Sequence, residues 1–164
     1  MTLTAVDKDA EKLTMAFTAE FAATAEQVWR LWEDPRLFEK WWGPPEYPAT
    51  VVAHEFGPGG KARYYMTGPD GEKYHGATQF VALDPPNSLE FTDVFLDDDG
   101  NETEGMPSMT TRVEISGTEH GAQMIITTKF PSLEAMEQLI EMGAEEGMKG
   151  ALSQVDDLLA AMAS

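Results

Sequence analysis

The chain contains no cysteine. Disulfides, thiolate nucleophiles and cysteine-ligated zinc are therefore excluded. Basic residues are scarce, with 11 Lys and Arg against 29 Asp and Glu, for a formal net charge of −18. Nucleic-acid backbones and anionic membrane surfaces are themselves polyanions, so neither is an expected partner. No apolar run reaches the ~18 residues of a membrane span. The stretch from Met1 to Lys12 lacks the apolar centre of a signal peptide. A cytoplasmic location is the expectation. There are only three histidines, and no two have the spacing that brings metal ligands together. No G-x-S-x-G element and no P-loop occurs, so neither a hydrolase elbow nor a nucleotide cradle is written in the chain. No metal and no cofactor are expected.

What is present is one domain's worth of globular material: 164 residues, 42% hydrophobic and 24% charged. Residues 1–11 read as a flexible lead-in and 12–164 as a single domain. Leu13, Met15, Phe17, Ala19 and Phe21 alternate with more polar neighbours, the period of a half-buried strand. Thr24 with Gln27 has the form of a helix capping box, and Val28, Trp29, Leu31 and Trp32 supply an apolar side. Asp34-Pro35 starts a second short helix that ends before Gly43-Pro44-Pro45. From Tyr47 to Phe130 the pattern is β, punctuated by Gly57-Pro58-Gly59-Gly60, Pro69-Asp70-Gly71, Asp84-Pro85-Pro86-Asn87 and Gly117 to Gly121. After Ser132, apolar and small residues recur at strides of three and four from Leu133 to Met162. That spacing predicts one helix of roughly 30 residues, about 45 Å long, lying across the sheet. Strand, two short helices, six hairpin-spaced strands and a long helix make an α+β layer arrangement with an antiparallel sheet.

The segments Phe21-Ala22-Ala23-Thr24-Ala25-Glu26-Gln27-Val28-Trp29, Leu31-Trp32-Glu33-Asp34-Pro35 and Trp41-Trp42-Gly43-Pro44 resemble the opening of the START-like superfamily, also called SRPBCC or Bet v 1-like. The nearest branch is that of the heat-shock-protein-90 ATPase activator homologues. Gly59-Gly60, Pro69-Asp70-Gly71, Asp84-Pro85-Pro86 and Gly147-Met148 with Leu152 continue the likeness in order, over roughly Leu13 to Leu159. The resemblance implies a helix-grip fold: a curved seven-stranded antiparallel sheet around a long C-terminal helix, with a cavity between them. Three places depart from the branch pattern. Thr24 stands where a proline is common, and Glu55-Phe56-Gly57-Pro58 replaces an acidic-then-basic lead-in. Met148 holds a place often taken by a bulky aromatic, a change expected to alter cavity shape.

Inward strand parity and the C-terminal helix nominate a cavity lining of Tyr64, Met66, Phe80, Phe91, Phe95, Met109, Val113, Met124, Ile126, Met136, Ile140, Met148 and Leu152, and Trp42, beside Gly43-Pro44-Pro45, is nominated at its entrance. Methionine adapts to irregular ligands, and the chain has 10. Plain core packing explains the same pattern. Gly143, Gly147 and Gly150 within one helix cost about 1 kcal/mol each relative to Ala. Close approach, room for a ligand, or a bend would each account for them. Catalytic candidates are weak. His54 and Glu55 point to opposite faces of a strand. Asp93 shares parity with Phe91 and Phe95, while Arg63 and Arg112, its conceivable partners, have the other parity. Asp97-Asp98-Asp99-Gly100-Asn101-Glu102 fails the EF-hand template, with glycine off the sixth position and Ser108 at the twelfth. It reads as a solvated hairpin tip.

The leading expectation is non-enzymatic binding of a small hydrophobic or amphipathic ligand. A co-chaperone-like regulator with a chaperone or other protein partner is the first alternative, and a cyclase- or hydrolase-type enzyme the second. An exposed sheet edge would permit a homodimer.

Overall fold

A computed structural model describes residues 2–97, 99, 101 and 108–163. Strand β1 (Thr2–Asp9) turns into β2 (Thr14–Phe21), and helices α1 (Ala25–Glu33) and α2 (Pro35–Trp41) follow. Then come β3 (Ala49–His54), β4 (Lys61–Thr67), β5 (Lys73–Asp84), β6 (Ser88–Leu96), β7 (Met109–Thr118) and β8 (Gly121–Lys129). Helices α3 (Leu133–Glu141), α4 (Ala144–Leu152) and α5 (Val155–Ala163) close the chain. The strands form one antiparallel sheet in the order β1-β2-β8-β7-β6-β5-β4-β3. The class is α+β, and the arrangement is the helix grip.

Local chemistry explains the helix starts. The Thr24 hydroxyl accepts from Gln27 N at 3.1 Å while the Gln27 side chain accepts from Thr24 N at 2.9 Å, so each satisfies a free backbone donor. Asp34 Oδ1 caps α2 by accepting from Arg36 N at 2.9 Å. Ser132 Oγ does the same for α3, accepting from Ala135 N at 3.0 Å. The buried face of α1 presses Trp32 into an aromatic knot. Its ring meets Trp41 at 4.9 Å, Trp42 at 5.7 Å and both Phe38 and Phe91 at 5.8 Å. Two of the knot's polar tips are satisfied: Trp41 Nε1 donates to Leu31 O at 3.0 Å, and Trp32 Nε1 to Met124 Sδ at 3.4 Å.

Two expectations need correction. The segment read as a loose lead-in is an eighth strand, β1, paired along β2. Its signal is hidden because Leu3 and Val6, which pack against the core, have opposite parity, and a register shift between Leu3 and Ala5 reconciles them. Lys8 on this strand reaches Glu145 of α4 at 2.6 Å, and Lys149 reaches the same carboxylate at 2.9 Å. The single long C-terminal helix is three helices. Gly143 takes φ +99°, a left-handed conformation that ends α3 and opens α4. At the second break Ser153 Oγ donates back to Gly150 O at 2.6 Å. There Gln154 Nε2 donates to Gly43 O at 2.6 Å, which ties the helix to the loop after α2.

Candidate functional site

Between the inner sheet face and the α3–α4 corner lies a cavity of about 330 Å³. Met15 and Phe17 of β2, Thr128 of β8, and Phe130 beyond it form one wall. Leu139, Met142, Gly143, Ala144, Gly147 and Met148 form the helical side. Trp42, Pro44 and Tyr47 come from the loop after α2, and Tyr64, Met66, Asp93, Phe95, Met109 and Thr111 from the sheet.

Of the nominated lining, Trp42, Tyr64, Met66, Phe95, Met109 and Met148 border this space. Phe80, Phe91, Val113, Met124, Ile126, Met136 and Leu152 are instead buried in the solid core, and Ile140 packs against it half-buried. Parity tells which residues face inward but not what they meet. The α1–α2 aromatic knot fills the half of the concave face next to Phe91 and Met124, leaving the other half open. Thr111 and Thr128 border the cavity as well, and their hydroxyls lie 3.3 Å apart. Both share strand parity with nominated neighbours, so a signal for them existed.

The three glycines divide the three explanations among themselves. Gly143 makes the bend. Gly147 borders the cavity, and a Cβ built on it meets nothing within 4 Å. Gly150 is a close approach, where a Cβ would lie 3.2 Å from Pro44 Cβ. Gly147→Ala should therefore raise stability by about 0.5–1 kcal/mol, because helix propensity improves and no neighbour objects. Chemical denaturation at unchanged m-value checks this, and a loss of stability would refute it.

Asp93 is buried, at 8% exposure, and points inward from β6. The Thr78 hydroxyl, opposite it on β5, donates to Oδ1 at 2.5 Å. Burial pushes the Asp93 carboxyl up to about 7, against the pull of the Thr78 bond. Arg63 and Arg112 are exposed, and Arg112 pairs with Glu114 at 3.0 Å. Burial and then the Asp93 charge push the Tyr64 phenol well above its ordinary value. The indole N–H of Trp42 acts in the opposite sense on Tyr64, yet it is buried without a formed hydrogen bond among the described residues.

His54 does not border the cavity. A register shift between Val51 and Ala53 puts Ala53 opposite Arg63 and His54 opposite buried Ala62, so the ring turns inward. It stacks on Phe56 at 5.5 Å and meets Phe80 edge-on at 5.7 Å. Nε2 lies 3.1 Å from Glu33 O, a carbonyl, so Nε2 carries the proton and donates. Nδ1 is buried without a partner among the described residues, and burial lowers the affinity of the ring for a second proton. A general base needs access to its substrate, and this half-buried imidazole packs among Phe38, Phe56 and Phe80, away from the cavity. Among the described residues no three His, Asp or Glu side chains gather as metal ligands. Asp97 Oδ1 accepts from Asp99 N at 2.9 Å and Asn101 N at 3.0 Å, closing its own turn. Asp98, Gly100 and Glu102 of that acidic motif lie outside the described residues. No helix among the described residues is long and apolar enough to cross a membrane.

Comparison with known proteins agrees with this architecture. A solution structure of an Arthrobacter aurescens protein superposes with a TM-score of 0.94 at 46% identity, covering 98% of this chain and 93% of that one. A crystal structure of a Mycobacterium smegmatis protein gives 0.89 at 42% identity, covering 96% and 97%. A third, the AHSA1 protein from Silicibacter pomeroyi, shares the fold at 0.73 with 22% identity, covering 91% and 99%. No curated protein matches by sequence. The family model described as "Activator of Hsp90 ATPase homolog 1-like protein" matches residues 22–160, and the chain belongs to that family.

Proposed function

We propose that this protein binds a small, mostly apolar molecule in the cavity between α3–α4 and the sheet, without turning it over. The observation that carries the reading is the cavity itself: about 330 Å³, walled by Met, Phe and Leu side chains, with a few polar tips. Ligand sites have this make-up, an apolar body that supplies affinity and sparse polar groups that fix orientation. The separation of the acid–base candidates supports the non-enzymatic part, since Asp93 borders the cavity and His54 does not. A regulator acting on a chaperone is the second reading, and the family description is what favours it. On either reading a cytoplasmic setting fits the acidic, cysteine-free chain.

Titration with the neutral fluorophore N-phenylnaphthylamine tests the first reading. Saturable one-to-one binding is expected, weakened about tenfold or more (~1.4 kcal/mol) in Gly147→Phe, whose ring would project into the cavity. Native mass spectrometry of gently purified protein is the companion measurement. An apo mass, together with failure to bind the fluorophore, would sink the reading.

A further inference from the structure

Resting on that reading, we infer that the cavity selects ligands carrying a basic nitrogen, held by the Asp93 carboxylate among the rings of Trp42, Tyr47, Tyr64 and Phe95. Asp93 is the one charged side chain among the described residues that line the space. The groups around it are Tyr64 from β4, Thr78 from β5, Met109 from β7 and Trp42 from the loop after α2, and none is basic. Its hydrogen bond from Thr78 comes from a neutral hydroxyl. A buried carboxylate with no cation beside it is costly when ionised. A ligand ammonium would supply both the missing charge and N–H donors. Aromatic faces attract the same cation through their quadrupoles, and desolvation strengthens that attraction. The surrounding field acts in the same direction: a chain at −18 draws cations toward it and repels carboxylates. The indole N–H of Trp42, without a formed hydrogen bond among the described residues, offers a donor to an oxygen carried by the same ligand.

The proposal predicts a rank order for molecules of one shape. Adamantylamine, adamantanol and adamantanecarboxylate share a compact carbon body and differ only in the polar group. By calorimetric titration at about pH 8, the amine should bind at least about tenfold more tightly than the alcohol, and the carboxylate most weakly. The advantage of the amine should shrink toward about pH 5.5, where Asp93, with its raised pKa, takes up a proton while the amine stays charged. In Asp93→Asn, with its fold checked by circular dichroism, amine and alcohol should differ by less than about threefold. Equal binding of amine and alcohol to the unaltered protein would overturn the charge selection and leave the apolar-ligand reading standing. A preference that persists in Asp93→Asn would also overturn it, assigning the effect to the acidic surface. Binding of none of the three would overturn the charge selection, and failure of N-phenylnaphthylamine to bind as well would overturn the apolar-ligand reading with it.

Discussion

Asp93→Asn is expected to stabilise the ligand-free protein by about 2–4 kcal/mol at about pH 8 relative to its effect at about pH 4. The folded carboxyl sits at about 7 against an ordinary value of 3.8. Below 3.8 the group is protonated in both folded and unfolded chains, and ionisation contributes nothing. As pH rises between the two values, the unfolded chain releases its proton and the folded chain keeps it, so stability falls. Above about 7 both states are ionised and the full penalty of a buried, uncompensated charge is present. Three units correspond to about 4 kcal/mol, and relaxation around the charge reduces that. Asn keeps an acceptor for the Thr78 hydroxyl at nearly the same volume and never ionises. Urea denaturation of both proteins at the two pH values gives the difference. An equal effect at both would mean that Asp93 does not titrate in this window.

His54 acts with the opposite sign. Its folded value lies below 6.5, so its stabilising contribution is present above 6.5 and is lost as pH falls toward the folded value. In the unaltered protein the two groups oppose one another through the mildly acidic range. In Asp93→Asn the His54 contribution stands uncovered, and stability should rise with pH across that range.

The element order was legible because each element carries its own local chemistry. The Thr24–Gln27 box, the Asp34-Pro35 start and the alternation of β2, β7 and β8 are read within a few residues of sequence, and each has its counterpart in the structure. The features that escaped depend on distant partners or single-residue irregularities. Among the described side chains of β1, residues 3–9, none is fully buried, and the strand changes parity at a bulge, so period-two reading passes over it. A second bulge beside Val52 reverses the facing of His54. The cavity escaped in part for a different reason. Met124 and Tyr64 both face inward, but Met124 lies under Trp32 while Tyr64 opens on empty space, a difference set by α1 and not by either strand. The break at Gly143 was visible as one of three meanings for a helical glycine, and only its φ decides among them.

Glycine also supplies the second large effect. Gly43→Ala should cost about 3–5 kcal/mol and lower the cavity's affinity for N-phenylnaphthylamine, although the change is a single methyl group. A Cβ on Gly43 would lie 2.2 Å from Tyr47 O and 2.7 Å from Ala49 N. Both are backbone atoms, so no side-chain rotation relieves the overlap and the loop itself must shift. That loop is held at both ends. Gln154 Nε2 donates to Gly43 O at 2.6 Å, and Ala49 opens β3 with its partner Met66 across the ladder. Moving it strains the helix tie and the edge of the sheet together. The same shift displaces Trp42, Pro44 and Tyr47, three of the residues that wall the cavity. The same substitution at Gly147 meets open space and stabilises. Denaturation and fluorophore titration of the two variants side by side separate the explanations. If a generic glycine-to-alanine effect governed both, the two would move together. If surroundings govern, Gly147→Ala gains stability while Gly43→Ala loses both stability and ligand affinity.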